Sequence, residues 1–197
     1  MIVIFVTEKN QQLVPIDESS YNELIEKLRN PESRDEAFSQ VVVIYGQGLY
    51  RHIRRLLLVH SDADDVLQDT FLKAYLSLDN FRNESKLFTW LFRIATNEAL
   101  NFLKKKKRNY VLSALSYEDV LLESLHSDPY FDGAEIEMAV QKAILSLPEK
   151  QRIVFNLRYY DELQYNEMSE ILGTSEGALK ASYHHAVKKV EKFLNQL

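Results

Sequence analysis

Residues 86–108 read KLFTWLFRIATNEALNFLKKKKR. On a helical wheel the stretch sorts into two sides. Leu87, Phe88, Leu91, Phe92, Ile94, Ala95, Ala99, Phe102 and Leu103 form a broad apolar side, which is read as core. Lys86, Thr89, Trp90, Arg93, Asn97, Asn101, Lys104 and Arg108 form the other. Leu100 on the polar side and Glu98 on the apolar side are the exceptions. An indole among cations and amides suits single-stranded nucleic acid. Cations hold phosphates, an aromatic plane stacks on an unstacked base at about 1–3 kcal/mol, and an Asn amide can pair with a base edge. The other reading is a solvated amphipathic helix whose Trp90 packs on a neighbouring element. For Trp90 alone the second reading weighs at least as much as the first. Phe81 just upstream and Asn97 further along the same side favour nucleic acid.

The net charge of −5 is no advertisement for such a partner, but the distribution matters more than the sum. From Lys86 to Arg108 the charges are cationic except for Glu98. From Asn109 to Ala139 they are Glu118, Asp119, Glu123, Asp128, Asp132, Glu135 and Glu137, with no Lys or Arg. This weakly periodic stretch, with its Ser127-Asp-Pro129 turn signal, reads as a linker over 109–133. Upstream, apolar spacing predicts helices near Tyr21–Leu28 and Arg34–Val59, then one from about Asp62 to Leu78 capped by Ser61. Downstream, helices are expected from Ala134 onward, with Ser146-Leu-Pro-Glu149 as a restart signal whose Ser146 hydroxyl caps the next helix. With only 5 Gly and 4 Pro in 197 residues, helices outweigh turn-rich sheets. The expected fold class is all-α: two small helical domains joined by a flexible acidic linker, the C-terminal one a helix-turn-helix. The divisions are a tail at 1–20, a first domain at 21–108, the linker, and a second domain at 134–197.

On the Asp62–Leu78 helix, Val66, Leu67, Thr70, Phe71, Ala74, Tyr75 and Leu78 make a core stripe. Asp65, Gln68, Asp69, Leu72 and Leu76 lie opposite. Leucines among acids suggest a protein interface with an apolar centre and a charged rim. Alternatively the acids favour the helix dipole and the leucines touch the second domain; spacing alone does not separate these. Near the C-terminus, Gly173 suits a left-handed helix stop, and Thr174 or Ser175 caps a last helix reaching Leu194. In a helix-turn-helix this last helix enters a major groove with its N-terminal part toward the bases, presenting Glu176, Lys180, Ser182, His184, Lys188 and Lys189. The competing reading is an ordinary helical hairpin.

Asp64-Asp-Val-Leu-Gln-Asp-Thr-Phe-Leu-Lys-Ala-Tyr75, Leu78-Asp-Asn-Phe-Arg82 and Thr89-Trp-Leu-Phe-Arg-Ile-Ala-Thr-Asn97 closely resemble the first conserved domain of extracytoplasmic-function sigma factors. Leu147-Pro-Glu-Lys-Gln-Arg152 and Glu176-Gly-Ala-Leu-Lys180 resemble the second. The resemblance implies a non-enzymatic subunit that binds core RNA polymerase, directs it to promoter DNA and helps to open it. It implies that Asp65, Gln68, Asp69 and Leu72 dock on the polymerase. It implies that Phe81, Arg82 and Asn97, with Trp90 and Arg93, meet the minus-ten element. Thr174, Ser175, Glu176, Lys180, Ser182 and His184 would meet the minus-thirty-five element. It also implies control by an anti-sigma protein. One departure stands out: Ser182, His185 and Val187 occupy positions where Arg is frequent in the family, which weakens phosphate contacts there.

No Gly-rich phosphate loop, paired His ligands or nucleophile-with-base constellation is legible, so no catalytic residue, cofactor or metal is expected. With no cysteine, a disulfide framework is excluded. The apolar start Met1–Val6 is too short for a membrane span and lacks a basic leader, so a cytoplasmic chain without membrane insertion is expected. A stand-alone helix-turn-helix regulator is the second reading. It accounts for residues 174–194 but leaves Phe81, Trp90 and the acidic-leucine side unused.

Overall fold

The computed structural model describes residues 17–81, 85–110, 121 and 135–196. The proposed tail up to residue 16, Arg82 and nearly all of the acidic linker lie outside the described residues. Among the described residues the regular structure is entirely helical. Helix α1 (Glu18–Arg29) is capped by Asp17, whose carboxylate accepts from the Ser20 amide at 3.0 Å, and it stops at Asn30 before Pro31. Helix α2 (Arg34–Leu57) ends where Leu58 takes a left-handed conformation at φ 62°. That tight reversal starts α3 (His60–Leu76) earlier than its sequence suggests. Val59, not Ser61, holds the N-cap position, with no side-chain cap. A 3₁₀ turn, Leu78–Asn80, leads toward α4 (Leu87–Tyr110).

The second block holds α5 (Glu135–Leu145), α6 (Glu149–Tyr159), α7 (Tyr165–Leu172) and α8 (Glu176–Leu194). Ser146 corrects its sequence reading. Its hydroxyl donates to the Ala143 carbonyl at 2.6 Å and so closes α5, while Pro148 occupies the N-cap position of α6 without a side-chain cap.

In the first block α2 packs against α1, α3 and α4, and α3 against α4. Val41, Leu49 and Ile53 of α2 and Leu87, Leu91, Ala95 and Leu103 of α4 are buried in one core. Their i, i+3/i+4, i+7 recurrence is the apolar side read from the sequence. In the second block Val140, Ile144 and Leu147 pack with Phe155, Ala186 and Val190. The larger core does not stop at the block boundary. Leu157, Met168, Ile171 and Leu179 belong to the same apolar cluster as Leu91. The two blocks are thus docked, α6 against α2 and α7 against α4.

Candidate nucleic-acid interface

Lys86, just before α4, and Arg93, Asn97, Asn101, Lys104 and Arg108 along it are all exposed. Their spacings of seven, four, four, three and four residues keep them on one side of the helix, as the sequence indicates. Trp90 departs from that reading. It is only 7% exposed, and its ring centroid lies 5.0 Å from that of Phe81, the planes tilted by 43°. Thr89, also placed on the polar side by its spacing, is buried too. Both residues are covered by chain that the helical period cannot see: the Phe81 turn and, across the block boundary, α7.

The same residues line a cavity of about 490 Å³. Phe81, Trp90 and Arg93 meet there with Asn80, Ser85 and Thr89, and α7 contributes Glu170. The volume falls in the range of small-ligand sites. An apolar ring edge, hydroxyls, an amide and a guanidinium around one hollow can contact a flat heterocycle, pair with its edge and hold its phosphate. Asn97 is exposed one turn beyond Arg93 but is not among the lining residues. Asn80, Ser85 and Glu170 are lining residues that sequence reasoning misses. The first two adjoin Phe81 and Lys86 and are within reach of a local reading; Glu170 carries no local signal.

On α3, Asp65, Gln68, Asp69 and Leu72 are exposed on one side, as expected. Leu72 is 58% exposed and Leu76 71%. The second block therefore leaves these leucines uncovered, which disfavours the reading that they exist to touch it. Tyr75, assigned to the core stripe, is half out. Its hydroxyl donates to Asp35 at 2.5 Å and its ring meets Phe38 edge-on. That hydrogen bond to Asp35 holds the Tyr75 phenol above its ordinary pKa.

The turn between α7 and α8 obeys its local chemistry. Gln164 and Glu167 form a capping box at the start of α7, Glu167 accepting from the Gln164 amide at 2.8 Å. Gly173 sits at φ 60° and donates its N–H to the Ser169 carbonyl at 2.9 Å. Ser175 caps α8, its hydroxyl accepting from the Ala178 amide at 3.4 Å. Met168, Ile171 and Leu179 are buried behind the turn. Thr174, Ser175, Glu176, Lys180 and His184 are exposed, while Ser182 is half-buried and turned from that row. Lys180 pairs with Glu176 at 3.2 Å and lies over the Tyr165 ring. Among the described residues no cluster of His, Asp and Glu has metal-binding geometry, and no helix is long and apolar enough to cross a membrane.

Comparison with known proteins agrees with this layout. The Sigma-70 region 2 profile matches residues 41–109 and the Sigma-70, region 4 profile matches 137–190. The chain is 33% identical to the ECF RNA polymerase sigma factor SigW of Bacillus subtilis over 170 residues, covering 82% of this chain and 91% of that one. It is 31% identical to the RNA polymerase sigma-H factor of Pseudomonas aeruginosa over 183 residues, 89% and 94% of the two chains. In fold it is similar to CnrH, solved in complex with the cytosolic domain of CnrY, with a TM-score of 0.66 at 23% identity over 89% of this chain and 97% of that one. It is also similar to RpoE of Bartonella quintana, solved with the anti-sigma factor NepR, with a TM-score of 0.63 at 23% identity over 80% and 96%. The chain belongs to the extracytoplasmic-function family of RNA polymerase sigma factors.

Proposed function

We propose that this sigma factor docks on core RNA polymerase through Asp65, Gln68, Asp69 and Leu72, directs it to a promoter through α8, and opens the duplex with the Phe81–Trp90–Arg93 hollow and Asn97. The observation that carries the reading is the convergence of Phe81, Trp90 and Arg93 on one cavity at the head of a cation-lined helix. A closed duplex hides base faces, so such a hollow gains binding energy only from an unpaired base. At α8 the reading rests on Thr174 and Ser175, which lead into the helix, and on Glu176, Lys180 and His184 along its exposed N-terminal half. Ser182, half-buried, is assigned a smaller part.

The division of labour assigned here is residues 21–108 for polymerase and the minus-ten element and 134–197 for the minus-thirty-five element, with 109–133 between them. Arg82 is kept as a minus-ten contact by resemblance alone. An anti-sigma protein is assigned as a further partner, as for the RpoE neighbour solved with one. This work is set where core polymerase acts, in the cytoplasm.

The test is co-purification with core enzyme, and gel shifts on promoter duplex with and without it. The expected result is tight polymerase binding and weak duplex binding by the isolated chain, because its net charge of −5 opposes free DNA binding and polymerase adds contacts. Tight, specific duplex binding by the chain alone, with no affinity for core enzyme, would instead establish a stand-alone regulator.

A further inference from the structure

Two helices that carry no part of the proposed function, α1 and α2, hold both lips of the hollow. The upstream lip is the 3₁₀ turn Leu78–Asn80 with Phe81; the downstream lip is Ser85 with Thr89, Trp90 and Arg93 at the start of α4. Arg34, the first residue of α2, reaches the upstream lip, its Nη2 donating to Asp79 Oδ1 at 2.8 Å. Tyr21 of α1 reaches the downstream lip, its phenol oxygen accepting the Leu87 amide at 3.0 Å from 66 residues away. Leu87 is fully buried and opens α4, where a first-turn amide has no acceptor inside its own helix, so Tyr21 supplies one. The two anchors share one corner. Arg34 Nε also donates to the Leu28 carbonyl at 3.2 Å, and the Ser33 hydroxyl donates to the Lys27 carbonyl at 3.0 Å, which ties the end of α1 to the start of α2. Leu24, Ile25 and Leu28 seat that corner in the same core as Leu78 and Leu87.

We propose that Tyr21, with Arg34 beside it, is a positioning residue that presets the hollow for an unpaired base. This inference rests on the proposed function for what the hollow binds. Phe81 and Trp90 come from different segments, and their rings stay 5.0 Å apart only while the turn and the start of α4 keep their spacing. Neither Tyr21 nor Arg34 lines the hollow, so each acts through the residue it holds. Both lie upstream of residues 41–109, the span of the Sigma-70 region 2 match. The Arg34–Asp79 pair is the weaker anchor, because the Asp79 side chain is 76% exposed and water screens it. The Tyr21–Leu87 bond is partly buried and takes the larger share. A site whose walls are held in place before its ligand arrives loses less freedom on binding, so each anchor raises the fraction of chains ready to accept a base.

The test uses the full chain, alone and with core polymerase. Tyr21→Phe keeps the ring and removes the phenol oxygen. Trp90 is the only tryptophan and is nearly buried, so acrylamide quenching of the isolated chain reads the looseness of the hollow without nucleic acid. The quenching constant is expected to rise about twofold in Tyr21→Phe as the lip opens locally. With core polymerase, the variant is expected to bind a fluorescent single strand, carrying the minus-ten sequence of a promoter that the parent chain transcribes, about fivefold more weakly. That is the loss of one hydrogen bond expressed in the ready fraction. Capture by core polymerase should not change, and melting should stay cooperative. In a Phe81→Ala background, Tyr21→Phe should weaken strand binding no further, whereas a tyrosine of merely structural importance would weaken it equally in both backgrounds. Additive losses, or unchanged quenching and strand affinity in a folded Tyr21→Phe chain, would overturn the proposal. Should that variant not fold, Arg34→Gln puts the same question to the upstream lip: a loss of strand affinity of about twofold with intact polymerase capture supports the anchor, and unchanged affinity overturns it. Core-dependent transcription by the parent chain reports on the function separately. A chain that transcribes while Tyr21→Phe moves neither readout keeps the function and loses the anchor. One in which Tyr21→Phe loosens Trp90 but the parent never supports transcription keeps the anchor and loses the function.

Discussion

The ring of Phe81 lies against the indole of Trp90, centroids 5.0 Å apart, so that the two aromatics of the proposed strand-opening hollow are also packing partners. A change at Trp90 therefore carries two effects. Trp90→Ala should cost stability in the range of about 3–5 kcal/mol seen for large buried aromatics, which confounds any reading of its function. Arg93→Ala and Asn97→Ala separate the two. Both side chains are exposed, so melting should move by no more than about 0.5 kcal/mol. Loss of a phosphate or base-edge contact worth about 1–3 kcal/mol should reduce strand opening by a factor of about 5 to 150. Permanganate reactivity of promoter thymines with polymerase present reads the effect. Closed-complex formation should change little, and a pre-melted promoter should rescue Arg93→Ala more fully than Asn97→Ala. Equal loss of closed complex in both variants would mean that this helix is not a strand-opening surface.

Asp65→Arg, and the pair Gln68→Ala with Leu72→Ala, should weaken capture by core polymerase without unfolding the chain. These side chains point into solvent on α3, and a reversed charge at a docking rim meets repulsion instead of a partner. Pull-down and melting temperature are measured side by side. A folded variant that binds polymerase normally removes the docking assignment.

Gly173→Ala and Gly177→Ala should move stability in opposite directions. No atom lies within 4 Å of a side chain added at either position, so backbone conformation decides. Gly173 has φ 60°, where Ala costs about 1–2 kcal/mol; Gly177 is helical within α8, where Ala gains about 0.5–1 kcal/mol. Two urea melts check this. The same sign for both would contradict the left-handed turn between α7 and α8.

Tyr45 gives a pH prediction. Burial, with a smaller contribution from neighbouring Tyr21, pushes its phenol up to about 12 from 10.0. The folded state keeps the proton while the unfolded state releases it. The stabilisation is therefore complete below pH 10 and is lost as pH rises toward 12. The fall attributable to this group is about 2–3 kcal/mol, and Tyr45→Phe should flatten it. Urea melts between pH 9 and 12 test this; an equally steep decline in Tyr45→Phe would assign the alkaline limit to other groups.

Local chemistry is legible in the sequence, and long-range cover is not. Gly173, the Ser175 cap and the exposed row Asp65, Gln68, Asp69 and Leu72 come from turn rules and helical period acting within a few residues. Trp90 escapes such rules because its position on the wheel is polar while its cover comes from the Phe81 turn and from α7, nearly eighty residues on. Tyr75 departs in the other direction, since Asp35 on α2 draws its hydroxyl outward. His52 Nδ1 and Asp161 Oδ2 lie 2.8 Å apart in space but 109 positions apart in sequence, and nothing periodic links them. Ser146 has the spacing of a cap for α6, yet its hydroxyl turns back and closes α5, a choice that spacing does not decide.

Run-off transcription on a panel of promoter fragments, with core polymerase alone, the chain alone, and the two together, tests the central claim most directly. The account predicts discrete transcripts from a subset of promoters only when both are present, with yield falling for Asp65→Arg at limiting polymerase and for Asn97→Ala on closed but less on pre-melted templates. Transcript yield indifferent to the chain, alongside its tight and specific binding to duplex DNA without polymerase, would contradict it.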